Sequence, residues 1–309
     1  MKRVDAGLGV SAALAALTIG LLSLVAPGRC GAQAGDSQQG SGLVASDGVG
    51  SGAPTYAMAS QPPAPSEPEA SAPAAAQATT AADDSDWHFA ISPYLWLPGM
   101  HGIIGTDNLN ANVSASPADL LSNFRFGLMG AFDSRYKRIV LPLDFMWVRL
   151  GDSKGFPNTP EELTAKVTAN EVILTPKIGY RLIDSKMIKI DGLTGFRYWH
   201  VGTDLKFVNN GGQLLKVSNS LNWVDPLVGG RIGVILSPKI EALIAGDVGG
   251  WGTGSQLDYQ LVGLLGYKIK PALALQVGYR YLDVNYRGGG AIFNVAMSGV
   301  VLGATLTLK

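Results

Sequence analysis

From Trp87 to the end of the chain, large apolar residues recur at every second position. Leu273, Leu275, Val277, Tyr279 and Tyr281 alternate with Ala274, Gln276, Gly278 and Arg280, and residues 293–308 repeat the habit. A period of two puts the large apolar groups on one face of a strand and the small or polar groups on the other. An arm of this length, tilted, can cross a bilayer core, which takes about 9–11 strand residues. The pattern predicts that 271–309 is the closing hairpin of a transmembrane β-barrel.

The same period runs through the preceding segments. Trp87, Phe89, Ile91, Pro93, Leu95 and Leu97 share a face, and Pro98-Gly99 predicts the end of that strand. Residues 100–122 are irregular, except that Ser116 followed by Pro117 reads as an N-cap and first position of one short helical turn. Phe124 to Phe132 and Ile139 to Trp147 flank a tight turn at Tyr136-Lys137-Arg138. Further alternating runs lie around 172–180, 188–198, 224–236, 240–248 and 257–269. Short turns are expected near 137, 184, 238 and 270, and longer loops at 151–162, 204–221, 249–254 and near 288. Short and long connections that alternate are the asymmetry of outer-membrane barrels. The expected fold is all-β, an antiparallel up-and-down transmembrane β-barrel of about ten strands. Splitting 100–122 into an extra hairpin gives twelve, and merging weak strands gives eight.

A soluble β-sandwich alternates too. Charge position separates the two. The apolar faces carry almost no charge between their ends. The opposite faces carry Arg125, Asp133, Arg135, Asp144, Glu171, Lys177, Arg181, Lys189, Asp191, Arg197, Asp225, Arg231, Glu241, Asp247, Asp258, Lys268 and Arg280. Tyr180, Tyr267, Tyr279, Tyr281, Phe132 and Trp87 sit near strand ends on the apolar face, where barrels carry aromatic girdles.

Composition adds the compartment. The chain is 47% hydrophobic and 16% charged, with formal net charge zero, so nothing suggests a nucleic-acid partner. Lys2 and Arg3, an apolar run over 8–25 and Ala32-Gln33-Ala34 predict a signal peptide over 1–34. Pro27 and Arg29 before Cys30 argue against lipidation there. Residues 35–86, rich in Ala, Pro, Ser and Gly, cannot bury a core and are expected to form a disordered linker to a barrel at 87–309. With Cys30 removed, the mature chain has no thiol for a disulfide or a Cys-based metal site.

Several stretches resemble a family of Gram-negative outer-membrane β-barrel proteins: Ser92-Pro93-Tyr94-Leu95-Trp96-Leu97-Pro98-Gly99, Asp119-Leu120-Leu121, Trp223-Val224-Asp225-Pro226-Leu227-Val228-Gly229, Gly278-Tyr279-Arg280-Tyr281-Leu282-Asp283-Val284 and Met297-Ser298-Gly299. The resemblance covers roughly 87–309. It implies the fold and the outer-membrane site, with outer-membrane lipid, lipopolysaccharide and the barrel-assembly machinery as partners. It implies no defined activity. One departure is the end of the sequence, Leu306-Thr307-Leu308-Lys309, where such barrels usually place an aromatic residue.

The inward charges nearly balance in sign and recur on neighbouring strands, Lys177 and Arg181 near Asp191 and Arg231 near Glu241 and Asp247. Small barrels are filled by side chains. A lumen charge network of Arg125, Asp133, Arg135, Asp144, Glu171, Lys177, Arg181, Asp191, Arg197, Asp225, Arg231, Glu241, Asp247 and Arg280 is therefore expected to plug the barrel, in a structural or surface-interaction protein. A narrow channel for solutes or ions is the alternative. A third reading, an outer-rim enzyme, lacks support: His88, His101 and His200 are scattered and flanked by no nucleophile motif, so neither catalytic nor metal residues are assigned and no cofactor is expected. Trp96, Trp223 and Arg231 are candidate ligand contacts at the barrel mouth. Pro226 removes one ladder donor, which predicts a bulge beside it.

Overall fold

The computed structural model describes residues 86–156, 163–209 and 211–308. The expected signal peptide lies outside them, as does the expected linker apart from Asp86. The elements in chain order are β1 (Trp87–Thr106), β2 (Asn110–Ala115), α1 (Pro117–Ser122), β3 (Phe124–Tyr136), β4 (Ile139–Phe156), β5 (Leu163–Asp184), β6 (Ile188–Asn209), β7 (Gly212–Ile235), β8 (Ile240–Gly250), β9 (Leu257–Lys270), β10 (Leu273–Gly288) and β11 (Ala291–Leu308). From β3 to β11 each strand pairs antiparallel with the next, and β11 pairs with β1 from Phe89↔Leu308 to Thr106↔Ala291. The other edge of β1 meets β3 at one end and the short β2 at the other. Ten strands thus close the barrel, with β2 as an added flap.

Three expected loops are largely strand. β1 does not end at Pro98-Gly99. The amide of Trp96 points away from β11, and alternate residues of a strand turn their amides to the same edge, so the donor that Pro98 lacks is not one β11 uses. Residues 151–156 belong to β4, and 204–209 with 212–221 extend the β6–β7 hairpin to Asn209↔Gly212. Those segments lost their apolar alternation while their backbone ladder continued. Pro226 causes no bulge either: the β6–β7 register runs through Phe196↔Pro226 unbroken, and pairing with β8 begins one residue later, at Leu227↔Gly249.

The outside of the barrel carries an apolar belt. Leu95, Leu128, Ile178, Ile244, Leu261, Val277 and Leu302 are exposed hydrophobics from seven different strands. On β1 the belt runs from Trp87 to Leu97, matching the ~9–11 residues of a tilted membrane-crossing strand. Aromatics rim both edges. At the short-turn edge Trp87 stacks on Phe89 and meets Tyr136, with centroids 5.6 and 5.0 Å apart. At the other edge the polar tips reach outward. Trp147 Nε1 donates to Asn170 at 2.7 Å, and Tyr198 Oη donates to Asn222 at 3.0 Å. Beyond that edge the outer face turns polar, with Arg149, Thr168, His200, Asp204 and Ser220 around one shallow depression. Among the described residues no helix is long and apolar enough to cross a membrane, so the strands are the elements able to do so.

α1 forms where expected. Asp119 N–H donates to Ser116 Oγ at 3.2 Å, and the Asp119 carboxylate accepts from Ser116 N–H at 2.9 Å and from its hydroxyl at 2.7 Å. These bonds hold the Asp119 carboxyl below its ordinary pKa. A depressed carboxyl contributes order above its ordinary pKa and loses it as pH falls through the folded value. Acidification is therefore expected to speed amide exchange in α1, and Asp119→Asn should remove that pH dependence. An unchanged profile in the variant would count against the capping box as its source.

Candidate functional site

The inward face divides into two layers. Toward the strand ends away from the short turns, the lumen is filled by Trp96, Met129, Met146, Ile173, Trp199, Trp223, Leu282, Phe293 and their apolar neighbours. Its centre is an aromatic stack: Trp199 on Trp223 at 5.3 Å, Trp223 on Tyr286 at 4.2 Å, and Phe293 against both tryptophans at 6.4 and 5.8 Å. The two indole N–H groups of the stack donate at its margins to buried carboxylates, Trp199 to Asp258 and Trp223 to Asp225, each at 2.9 Å.

Beneath it lies a lattice of ion pairs. Arg197, fully buried, bonds Asp258 and Asp247, the latter at 2.7 Å, and reaches Thr175 at 3.3 Å. Lys177 bonds the other oxygen of Asp247 at 2.5 Å. Trp199 Nε1 donates to Asp258 at 2.9 Å and ties the aromatic layer to the charged one. Arg280 pairs with Asp144 at 3.0 Å, donates to Tyr94 Oη at 3.0 Å and lies 4.8 Å from the Trp96 ring. Tyr94 in turn donates to Asp144 at 2.8 Å. Nearer the short turns, Arg231 bonds Asp133 and Asp191, the latter at 2.7 Å, and Arg181 bonds Asp191 at 2.7 Å. Between these groups is a cavity of about 460 Å³ with a mixed lining, Ser92, Lys177, Gln260 and Gln276 beside Leu193, Leu243 and Val262. Buried pairs of this kind leave few charges unsatisfied, which is the condition for keeping them out of water.

The structure gathers Asp133, Asp144, Lys177, Arg181, Asp191, Arg197, Arg231, Asp247 and Arg280 into this lattice. It does not gather the rest of the expected set. Arg125 is exposed at the loop end of β3. Arg135 bonds the Lys137 carbonyl at 2.9 Å, beside the turn. Glu241 pairs with Lys268 at 3.0 Å, not with Arg231. Asp225 has no cation: it accepts from Trp223 Nε1 at 2.9 Å and from the Ser255 amide at 2.6 Å, so it anchors the 251–256 turn over the barrel end. Glu171 lies apart, with Oε1 buried and unpartnered. Sequence reasoning did not single out Tyr94 or Trp199 as polar partners. A signal was available in each case: both lie on the inward face, and each carries a donor that burial obliges to find an acceptor.

The expected mouth triad does not assemble. Trp96 and Trp223 are buried in the apolar layer, whereas Arg231 bridges two aspartates in the opposite half. Of the histidines, His200 Nδ1 lies 2.7 Å from Asn222 on the outer face, and His88 Nδ1 lies 2.9 Å from the Trp87 carbonyl. Among the described residues no three His, Cys, Asp or Glu side chains are placed to hold a metal.

No family model and no curated protein matches the sequence. Among solved structures, the chain is similar to the outer membrane protease OmpT of Escherichia coli, with 12% identity over 73% of this chain and 98% of that one and a TM-score of 0.48. It is also similar to the attachment invasion locus protein Ail of Yersinia pestis, with 12% identity over 72% and 98% and a TM-score of 0.32. The translocator domain of the autotransporter NalP from Neisseria meningitidis matches with 13% identity over 71% and 88% and a TM-score of 0.33. These likenesses are of barrel architecture and extend to no activity.

Proposed function

We propose that the chain is an integral outer-membrane β-barrel of a Gram-negative envelope, with a closed interior and a structural or surface-interaction role. The observation that carries this reading is the aromatic and apolar layer that fills one half of the lumen, above a lattice of ion pairs in the other. Membrane insertion is supported by the apolar belt and its two aromatic rims. A porin lumen is polar and water-filled, and an ion-selective path usually carries one dominant sign of charge at its constriction. Here the charges of the lattice are paired, while Asp225 and Glu171 have no cation among the described residues. The cavity of about 460 Å³ is lined by residues of the ion-pair layer and its neighbours, with neither Trp96 nor Trp199 among them. The narrow-channel reading therefore comes second.

Refolded protein in a planar bilayer is expected to conduct little, and its unheated form to migrate differently from the boiled form on a denaturing gel. Large, stable, ion-selective conductance from the unmodified chain would overturn the closed interior. Recovery of the whole protein in an aqueous periplasmic extract would overturn the membrane placement.

A further inference from the structure

The barrel wall is not continuous. β1 pairs with β3 only from Trp87↔Tyr136 to Pro93↔Gly130. From there to the start of β3, residues 94–99 and 124–129 face each other without a ladder. The Trp96 amide, deprived of a carbonyl partner, donates instead to Met129 Sδ at 3.3 Å. Pro98 has no amide to donate on that edge. α1 lies at the top of the breach, close against β1: a Cβ on Gly99 would stand 3.4 Å from the Pro117 ring. Behind the breach is a cavity of about 190 Å³. An apolar cavity of ~150 Å³ is enough to hold benzene.

The cavity runs through the wall. Leu95, Leu97 and Phe124 border it on the outer face, at belt level, while Met129, Met146 and Met297 border it from the lumen. Two polar side chains join that inner lining, Trp96 and Glu171. Trp96 is 2% exposed, and its Nε1 has no hydrogen-bond partner; Glu171 Oε1 is likewise buried and unpartnered. An unmatched donor and an unmatched acceptor each carry a cost of about 1–3 kcal/mol. A hydroxyl matches both in kind, since it donates one hydrogen and offers two lone pairs.

We propose that this breach is a binding site, entered sideways from the bilayer, for a single-chain aliphatic alcohol. The hydroxyl goes in first, accepting from Trp96 Nε1 and donating to Glu171 Oε1, and the chain trails past Leu95, Leu97 and Phe124 into the belt. A carboxylate would face the Glu171 carboxyl, and an alkane would leave both polar atoms unmatched. A phospholipid acyl chain enters methyl end first and presents no polar group to them. The proposal rests on membrane placement but not on a closed lumen, so conductance and ligand binding fail independently.

The test uses the full chain refolded in phosphatidylcholine vesicles, with a decanol carrying a photoreactive diazirine at mid-chain. Labelling is expected to concentrate on residues 95–98 and 117–124, to be displaced by unlabelled decanol, and to resist decane. Trp96→Phe and Glu171→Leu should each weaken displacement by decanol up to about tenfold, the size of one hydrogen bond, with folding checked by heat-dependent gel mobility. Should either fail to fold, Leu121→Trp on the exposed outer lip is expected to cut labelling without touching the interior. Even labelling around the belt, or equal displacement by decane, would overturn the proposal. So would equal labelling of the same residues by a phosphatidylcholine carrying the diazirine on its acyl chain.

Discussion

Val277→Arg is expected to destabilise the barrel by about 2–4 kcal/mol, the cost of a basic side chain at mid-bilayer on a lipid-facing position. Val277 stands between Leu265 and Leu302 on the neighbouring strands, and all three are about half exposed on the outer face. Gln276→Arg, one residue away, should cost clearly less, because Gln276 faces inward and lines the same cavity as Lys177, Arg231 and Gln260. The measurement is reversible urea unfolding in phospholipid vesicles, followed by gel mobility and tryptophan emission. Equal costs, or the reverse order, would mean that the outer surface meets water and not lipid.

Arg197→Leu is the second large effect, at about 3–5 kcal/mol. The Arg197 guanidinium is fully buried and serves two carboxylates at once. Without it Asp247 keeps Lys177, but Asp258 keeps only the Trp199 indole N–H. A buried carboxylate with no cation is among the most expensive groups a folded protein can hold. Adding Asp258→Leu to Arg197→Leu should recover part of the loss, since an apolar pair of similar volume removes the stranded charge. Arg231→Leu should cost less than Arg197→Leu, because the Arg231 side chain and its partner Asp133 reach the cavity at 16% and 33% exposure. A loss below ~1 kcal/mol for Arg197→Leu would show that the lattice is hydrated and that the interior is open to water.

Strand phase was legible because it depends on neighbours two apart, and side chains of a strand alternate whatever the strand pairs with. Val277, Leu261, Ile244 and Ile178 lie outside and Arg280, Arg197 and Lys177 inside, as the alternation requires. The short turns near 137, 184, 238 and 270 were legible for the same local reason, as was α1 from Ser116 and Pro117. The ends of the strands were not. The apolar alternation marks where a strand meets the belt, and the ladder of β5, β6 and β7 carries on well past it through polar residues.

Of the ion pairs, Arg181 with Asp191 was legible because the two face each other on neighbouring strands, but the cross-lumen partners lay beyond the sequence because closure decides them. Reading along neighbouring strands put Arg231 with Glu241 and Asp247. In the barrel Arg231 meets Asp133 of β3 and Asp191 of β6, while Asp247 meets Lys177 of β5 and Arg197 of β6. Closing a tilted, staggered sheet brings strands that are distant in order face to face across the lumen. The same closure stacked Trp199 on Trp223 and left residues 94–99 of β1, paired with β11 on one edge, without a ladder to β3 on the other. By itself the sequence determined that ten or so strands alternate, which face of each is apolar, and where the turns near 137, 184, 238 and 270 lie, because those are local properties of a period-two chain; the longer loop expected near 288 is instead a tight turn at Gly288↔Ala291. Only the tertiary structure decided what the inward residues touch, that one half of the lumen is apolar, and that the wall has a breach, because each depends on where the barrel closes.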